Sequence, residues 1–333
     1  MTSSAQIVIC GAGIAGVATA YYLATRHGIS DIVLVEQGAP LSLTSDKSTE
    51  AYRNWWPGPG DTMVQLMNRS IDLLEEIAAA TDNAILMNRR GYVYATADAA
   101  QVPTLRAAAE EAATLGAGAL RVHDGNSGAA AYQPADPHGY ASPLDGADLI
   151  TDPALIRAHF PYLAEEIVAV LHVRRAGWFS AQQFGMVLLE AARERGVRLL
   201  RGTVAGVDVR DGQVEAVRVE TENGPHTIAT RCFVDAAGPM LGQVARLLGV
   251  ELPVYSERHI KIAFNDHLGV VPRDAPMLIW TDPVTLPWSE DEREALAEDP
   301  DTAWMLDELP PGVHCRPEGH AGGAVLLILW NFH

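Results

Sequence analysis

The sequence predicts an α/β protein that opens on a dinucleotide-binding βαβ unit and carries an inserted antiparallel sheet. Three observations predict this. A glycine-rich turn, Gly11-Ala12-Gly13-Ile14-Ala15-Gly16, directly follows the apolar run Ile7-Val8-Ile9-Cys10. A second apolar run, Ile32-Val33-Leu34-Val35, ends in Glu36, twenty positions after the third glycine. Three strand-like segments between 197 and 230 then precede a fourth, Arg231–Asp235, which leads into Ala236-Ala237-Gly238-Pro239.

Each part of the opening unit has a physical task. Gly11 permits a sharp turn out of the strand, where a Cβ would clash. Gly13 lets the backbone approach a pyrophosphate, and Gly16 lets the helix lie close on the sheet. Open N–H groups and about half a positive charge at the helix start then face the phosphates. Glu36 is placed to accept hydrogen bonds from ribose hydroxyls, and its charge disfavours a 2′-phosphate and hence NADP. Residues 7–24 are also an uncharged stretch of nearly membrane-spanning length. However, the leader Met1–Gln6 has no Lys or Arg, and a membrane segment gives no reason for a second strand ending in Glu36.

The next elements follow from period and punctuation. Asp61 begins a helical pattern with Met63, Leu66, Met67, Leu74 and Ile77 on one face, running to about Ala80. An alanine-rich helix is predicted over Ala99–Leu115. Glycine, proline and alanine dominate Gly116–Leu149 without a period, which predicts mainly loop. Ser180 caps a helix, Gln183 completes a capping box, Phe184 faces inward, and Gly196 stops the helix. Strands Val197–Val209, Val214–Glu220 and His226–Thr230 are joined by turns at Asp211-Gly212 and Glu222–Pro225. Pro239 suits the first turn of a further helix ending near Gly249.

Composition narrows the function. The 333 residues are enough for two lobes, and 48% hydrophobic with 20% charged residues is ordinary for a globular protein. A formal charge of −18 argues against nucleic acid and anionic membranes as partners. Three cysteines without C-x-x-C spacing fit neither a disulfide framework nor a zinc site and suggest reducing cytoplasm. Cys10 and Cys232 fall in apolar strands, where burial is expected. No histidine has a partner at metal spacing, so no metal is assigned.

A plain NAD-binding domain would continue with alternating strands and helices of similar length. The three-stranded excursion instead resembles the glutathione-reductase-like FAD-binding Rossmann architecture, in which the returning strand sets small residues beside the dinucleotide. Beyond the fold, the chain resembles the superfamily of FAD-dependent amine oxidoreductases that includes D-amino-acid oxidase, glycine oxidase and sarcosine oxidase. The matching pieces are Gly11–Gly16 with Glu36, Thr44-Ser45-Asp46-Lys47-Ser48-Thr49, Gly202-Thr203-Val204 and Asp235–Pro239. The resemblance implies a discontinuous FAD-binding domain, 1–90 with 153–250, and a substrate domain, 91–152 with 251–333.

By the same resemblance, Ile14 and Ala15 lie against the pyrophosphate, Glu36 with Gln37 touches the adenosine, and Gly11, Gly13 and Gly16 belong to the cofactor-binding set. Thr44 and Ser45 bond phosphate or ribitol oxygens, and Ser48 belongs to the cofactor-binding set; Thr49, Glu50 and Ala51 reach toward the isoalloxazine; Val204 meets adenine through its backbone. Gly238 is one of the small residues beside the cofactor. Taken by itself, 44–49 also reads as a polar loop with capping hydroxyls. With no histidine in 44–51, covalent flavin attachment is not supported. Superfamily members usually finish with a glycine-rich strand–helix unit over the flavin. This chain stops at Asn331-Phe332-His333, just after the apolar run Ala324–Trp330. The expectation is a fragment or half of a split protein, with a second chain supplying the rest.

The resemblance implies hydride removal from the carbon beside an amine, onto flavin N5. An amino-acid carboxylate would need an Arg clamp. Arg53, in Tyr52-Arg53-Asn54-Trp55-Trp56, suits that task or simply stacks on a tryptophan. His259 and Lys261 alternate on a predicted strand, Tyr255–Phe264, either as cations near the flavin or as a solvent-facing pair. Trp178 reads as packing at the head of a helix. The tract Ser289–Glu294 reads as an exposed helix start. The electron acceptor is left open. One alternative is an FAD enzyme with an NAD(P)H site, weakened by the lack of a second glycine fingerprint. The other is a truncated flavin-fold protein that binds FAD or a partner without turnover.

Overall fold

The computed structural model describes residues 2–126, 131–319 and 322–330. Met1 of the uncharged leader, 127–130 of the predicted loop, and Asn331-Phe332-His333 lie outside the described residues. The chain forms two compact units. The first comprises Met1–Glu50, Ala84–Leu86 and Phe179–Arg258; the second comprises Ala51–Asn83, Met87–Trp178 and His259–His333.

The first unit is built on a parallel sheet with strands in the order Arg198–Arg201, Ile32–Glu36, Ile7–Cys10 and Phe233–Asp235. Val8 pairs with Val33 on one side and Phe233 on the other. Both faces are covered, so Ile7–Cys10 is buried at every position and reads as a continuous apolar run. The helix Ile14–Arg26 lays Val17, Ala20 and Ala24 on the core and packs against the helix Ala181–Glu194. A second sheet has the order Thr2–Ser4, Gly224–Ala229, Gln213–Thr221 and Thr203–Arg210. Its last three strands are the antiparallel excursion. Asp211 (φ 51°) and Gly212 (φ 75°) make the two-residue turn that matches strand twist. Val204, Val207, Val217, Val219 and Ile228 close a core with Val8, Val33 and Val35.

Several details differ from the sequence expectation. Ser180 Oγ accepts from the Gln183 amide at 3.2 Å, but the Ser180 amide donates to Ile85 O at 2.8 Å. Only half of the capping box therefore forms. The strand near 231 starts at Phe233, which leaves Cys232 exposed while Cys10 is buried. Burial, reinforced by Asp235 and Glu36, pushes the Cys10 thiol up to about 12. Pro239 lies within a single 3₁₀ turn, Gly238–Met240, which leads into a shorter helix, Leu241–Arg246.

The second unit holds an eight-stranded mixed sheet in the order Lys261–Asn265, Val325–Leu329, His314–Pro317, Met277–Trp280, Tyr92–Thr96, Ala169–Val173, Ala147–Ile150 and Leu120–His123. Alternate residues of Tyr92–Thr96 enter two cores. Tyr92 joins Val64 of the helix Thr62–Ala80 and Ala109 of the helix Val102–Ala112; Val93 and Ala95 join Ile156 and Phe160. The predicted loop 116–149 thus contains two strands, and the strand predicted over Tyr255–Phe264 is confined to Lys261–Asn265. Ala51–Arg53 pairs with Ala176–Trp178, which puts Trp178 at the end of a strand. That pairing, and the place of Ala169–Val173 in the large sheet, group 51–83 and 153–178 with the second unit rather than with the first as predicted.

The stretch 131–146 has no helix or ladder, yet arginines grip its carbonyls. Arg174 donates to Gln133 O (2.6 Å), Arg90 to Pro137 O (2.9 Å), Arg89 to Leu144 O (2.6 Å) and Arg121 to Asp145 O (2.8 Å). The acidic tract forms the helix Glu290–Glu298, with Ser289 and Glu292 making a complete capping box. Among the described residues, no helix is long and apolar enough to cross a membrane.

Candidate dinucleotide site

A cavity of about 550 Å³ opens in the first unit where strands Ile7–Cys10 and Phe233–Asp235 end. Ligands of parallel α/β sheets bind at such strand ends. The glycine turn forms one wall. Gly11 has φ 102°, and a Cβ there would come within 2.4 Å of Ala236 O; a Cβ on Gly16 would come within 2.0 Å of Gly11 O. Turn, helix and returning strand thus meet through bare backbone. The helix Ile14–Arg26 has no acidic residue in its first turn and no side-chain cap from Gly13, so its positive end faces the cavity without a carboxylate of its own.

Glu36, expected to meet a ribose, is held by backbone amides of its own unit. Its Oε2 accepts from the Ala12 amide (2.8 Å) and its Oε1 from the Gly38 amide (2.9 Å), which aims the carboxylate along the turn. Ser45 Oγ accepts from the Ile14 amide at 2.9 Å. Ser45 belongs to a one-turn helix, Thr44–Lys47, where a polar loop was the plainer expectation.

Gly11, Gly13, Ile14, Ala15, Glu36, Thr44, Ser45, Ser48 and Gly238 converge on the cavity. Gly16, Gln37, Thr49 and Val204 are not on its lining: Gly16 packs beneath the turn, and the Val204 side chain is in the core. The lining also includes Phe179 and Phe184, edge to face at 5.4 Å, which sequence reasoning did not place there. Phe184 was expected to face inward, and nothing in a helical period distinguishes a core from a cavity wall. Asp235, at the end of the returning strand, accepts from the Ala237 amide at 3.1 Å through Oδ1. Its Oδ2 is buried without a hydrogen-bond partner among the described residues, and burial holds the carboxyl above its ordinary range. Asp235 itself is not among the residues that line the cavity.

Arg53, His259 and Lys261 all belong to the second unit. The Arg53 guanidinium lies over Trp56 at 3.9 Å and Tyr92 at 5.7 Å, and its Nε donates to Trp55 O at 3.2 Å. Lys261 starts the edge strand, half-buried; His259 precedes it, exposed. Trp178 is buried between the guanidinium groups of Arg90 and Arg316, each 5.2 Å from its ring, in keeping with a packing role.

A glycine turn beneath an acid-ended strand, joined to an antiparallel excursion and a small-residue return, defines a dinucleotide-binding flavoprotein fold. The chain belongs to the FAD dependent oxidoreductase family (DAO), which it matches over residues 6–288. It is 24% identical to mitochondrial sarcosine dehydrogenase of Mus musculus over 269 residues, covering 78% of this chain and 25% of that protein. It is 32% identical to sarcosine oxidase subunit beta of Arthrobacter sp over 90 residues, 26% of this chain and 21% of that one. The chain therefore spans about a quarter or less of the curated relatives it matches. Its fold resembles L-proline dehydrogenase from P.horikoshii with a TM-score of 0.68 at 17% identity, covering 98% of this chain and 70% of that structure.

FAD is the cofactor of this family, and the cavity suits it. Gly11 and Gly13 line it without side chains, and the Glu36 carboxylate, expected to meet a ribose, is on the same lining. Glu36→Ala is expected to weaken FAD binding about tenfold to a hundredfold, the loss of a charged hydrogen bond. Flavin retained after dialysis, alongside an unchanged circular dichroism spectrum, measures it. Undiminished flavin content rules out the ribose role.

Proposed function

We propose that the protein oxidises the carbon next to an amine, on an amino acid or a secondary or tertiary amine, with the hydride passing to flavin N5. FAD, when bound, supplies the redox chemistry; the chain's own work is to bind, orient and exclude water. The observation that carries the reading is the cavity formed by the glycine turn, Glu36 and Ser45 in a chain of this family. The two curated relatives are named for sarcosine, which favours a secondary amino acid among these substrates.

Arg53 is the proposed clamp for the substrate carboxylate. Its stacking on Trp56 holds a fork-shaped donor in a fixed plane, with Tyr92 beside it. Burial, with a smaller push from the Arg53 charge, keeps the nearby His314 imidazole below its usual range. His259 and Lys261 complete the proposal as cations that favour reduced flavin. Arg53→Lys is expected to raise KM for amino-acid substrates about tenfold or more while sparing amines without a carboxylate. Equal losses on both substrate classes would remove Arg53 from this role.

The direct test is a yellow, FAD-loaded protein bleached under nitrogen by a panel of amines. Sarcosine and proline are expected to bleach it; a protein that holds FAD but is bleached by none lacks the activity. The similarity to a protein named as a subunit favours a second reading, a flavin-binding subunit that turns over only with a partner chain. Bleaching that appears only after a second polypeptide is added would select it. The three free cysteines suit a cytoplasmic setting.

A further inference from the structure

Glu50 has φ 59°, a left-handed conformation that glycine adopts without strain and a long side chain does not. Such strain persists only where the surroundings hold it. Hydrogen bonds within the first unit hold Glu50. Its amide donates to Ser48 Oγ (3.0 Å), its carbonyl accepts from the Phe179 amide (3.1 Å), and its Oε1 accepts from the Ala181 amide (3.0 Å).

These bonds join two walls of one cavity. Thr44, Ser45 and Ser48 line one side; Phe179, Ala181 and Phe184 line another. Ala181 is the first residue of the helix Ala181–Glu194, so the carboxylate sits where the helix's positive end favours an anion. Ser180 already serves the Gln183 amide, and Glu50 serves the amide Ser180 cannot reach. A second tie lies beside the first: Gln182 Nε2 donates to Asp46 Oδ1 (2.7 Å) and Leu41 O (3.2 Å). Gly185, one turn on, has Leu41 seated against it so closely that a Cβ would meet Leu41 Cδ1 at 2.4 Å.

We propose that Glu50 is a positioning residue that brackets the 44–48 wall to the 179–184 wall and so preorganises the cavity for FAD. The proposal rests on the reading of this cavity as the FAD site. A segment ordered before binding does not have to be ordered by the ligand, so the bracket acts on affinity and residence time. A glycine would fit the backbone here; the side chain is the reason for the strain.

Three variants test it: Glu50→Gln, Glu50→Ala and Glu50→Gly. The glutamine keeps an acceptor for the Ala181 amide, the glycine relieves the backbone but removes the bracket, and the alanine does neither. FAD binding and release are followed by flavin fluorescence, with circular dichroism to establish folding. Glu50→Gln is expected to bind FAD within about threefold of the parent. Glu50→Ala and Glu50→Gly are expected to lose at least tenfold in affinity, release FAD faster and blur the shoulders of the bound flavin's visible band. A Glu50→Gly protein that binds and releases FAD like the parent overturns the proposal. If the alanine variant does not fold, the glutamine–glycine comparison decides. A parent chain that takes up no FAD sinks the site reading and the bracket together, whereas a parent that binds FAD with indifferent variants sinks the bracket alone.

Discussion

Gly16→Ala is expected to cost about 3 kcal/mol or more of stability and to abolish FAD binding. The added methyl would sit 2.0 Å from Gly11 O and 3.3 Å from Ile9 Cγ2. Neither neighbour can turn aside, because one is backbone and the other belongs to a fully buried residue of the central strand. Overpacking a core by a methylene costs about 1–3 kcal/mol when side chains can adjust. Here the helix Ile14–Arg26 must lift off the sheet, which also moves the Ile14 amide from Ser45. Thermal unfolding and flavin content measure the two effects. An alanine variant with parental melting temperature and flavin content would mean that helix and sheet do not approach through this residue.

The second large effect is a loss of stability in mild acid, traced to His172. It is buried in the second unit's sheet. Its Nε2 lies 2.9 Å from Arg90 O, so that nitrogen carries the hydrogen. Nδ1 accepts from Tyr132 Oη (2.8 Å) and Arg174 Nη1 (2.7 Å). Burial and then the Arg174 charge hold the imidazole down to about 3, against an opposing pull from Asp148 and the Arg90 carbonyl. Unfolded, the same group titrates near 6.5, so between 6.5 and 3 the unfolded chain binds the extra proton. Stability from this group is intact above pH 6.5 and falls as pH drops, by about 2 kcal/mol between pH 6.5 and 4.5. Asp148 is held below its ordinary value despite its burial, by hydrogen bonds from Arg121 and His123 and the nearby Arg174 charge. Its own contribution is lost only in stronger acid. Denaturant midpoints across this range should fall for the parent and stay level for His172→Gln, which can still donate to one partner and accept from the others. Parallel slopes for the two proteins would acquit His172.

What the sequence made legible was what local chemistry dictates. Gly11, Gly13 and Gly16 are spaced by the geometry of one turn, and Glu36 by the length of one helix and strand, so the dinucleotide site could be read from residues in a row. The meander was legible because Asp211-Gly212 is a turn with few alternatives. The second unit was less so. Leu120–His123 and Ala147–Ile150 are four-residue strands whose polar members meet across the sheet, with His123 2.9 Å and Arg121 2.7 Å from Asp148. An isolated polar residue breaks an apolar pattern unless its partner is known, and the partner is 25 residues away. Cys232 shows the converse error: an apolar neighbourhood in sequence lay one residue ahead of the strand. Phe179 and Phe184 face a cavity wall that no period announces.

The guanidinium groups on 131–146 engage the oxygens of the peptide units, and an oxygen so engaged says nothing of the hydrogen on the other side. Shape and solvent-exchange protection, which travel together in a helix or ladder, are therefore decoupled along this stretch. A deuterium-uptake map would colour it as slack outside the bonded His138, Leu144 and Gly146 amides, while its path was being dictated from the side, by residues whose replacement with lysine would preserve every charge and lose the grip.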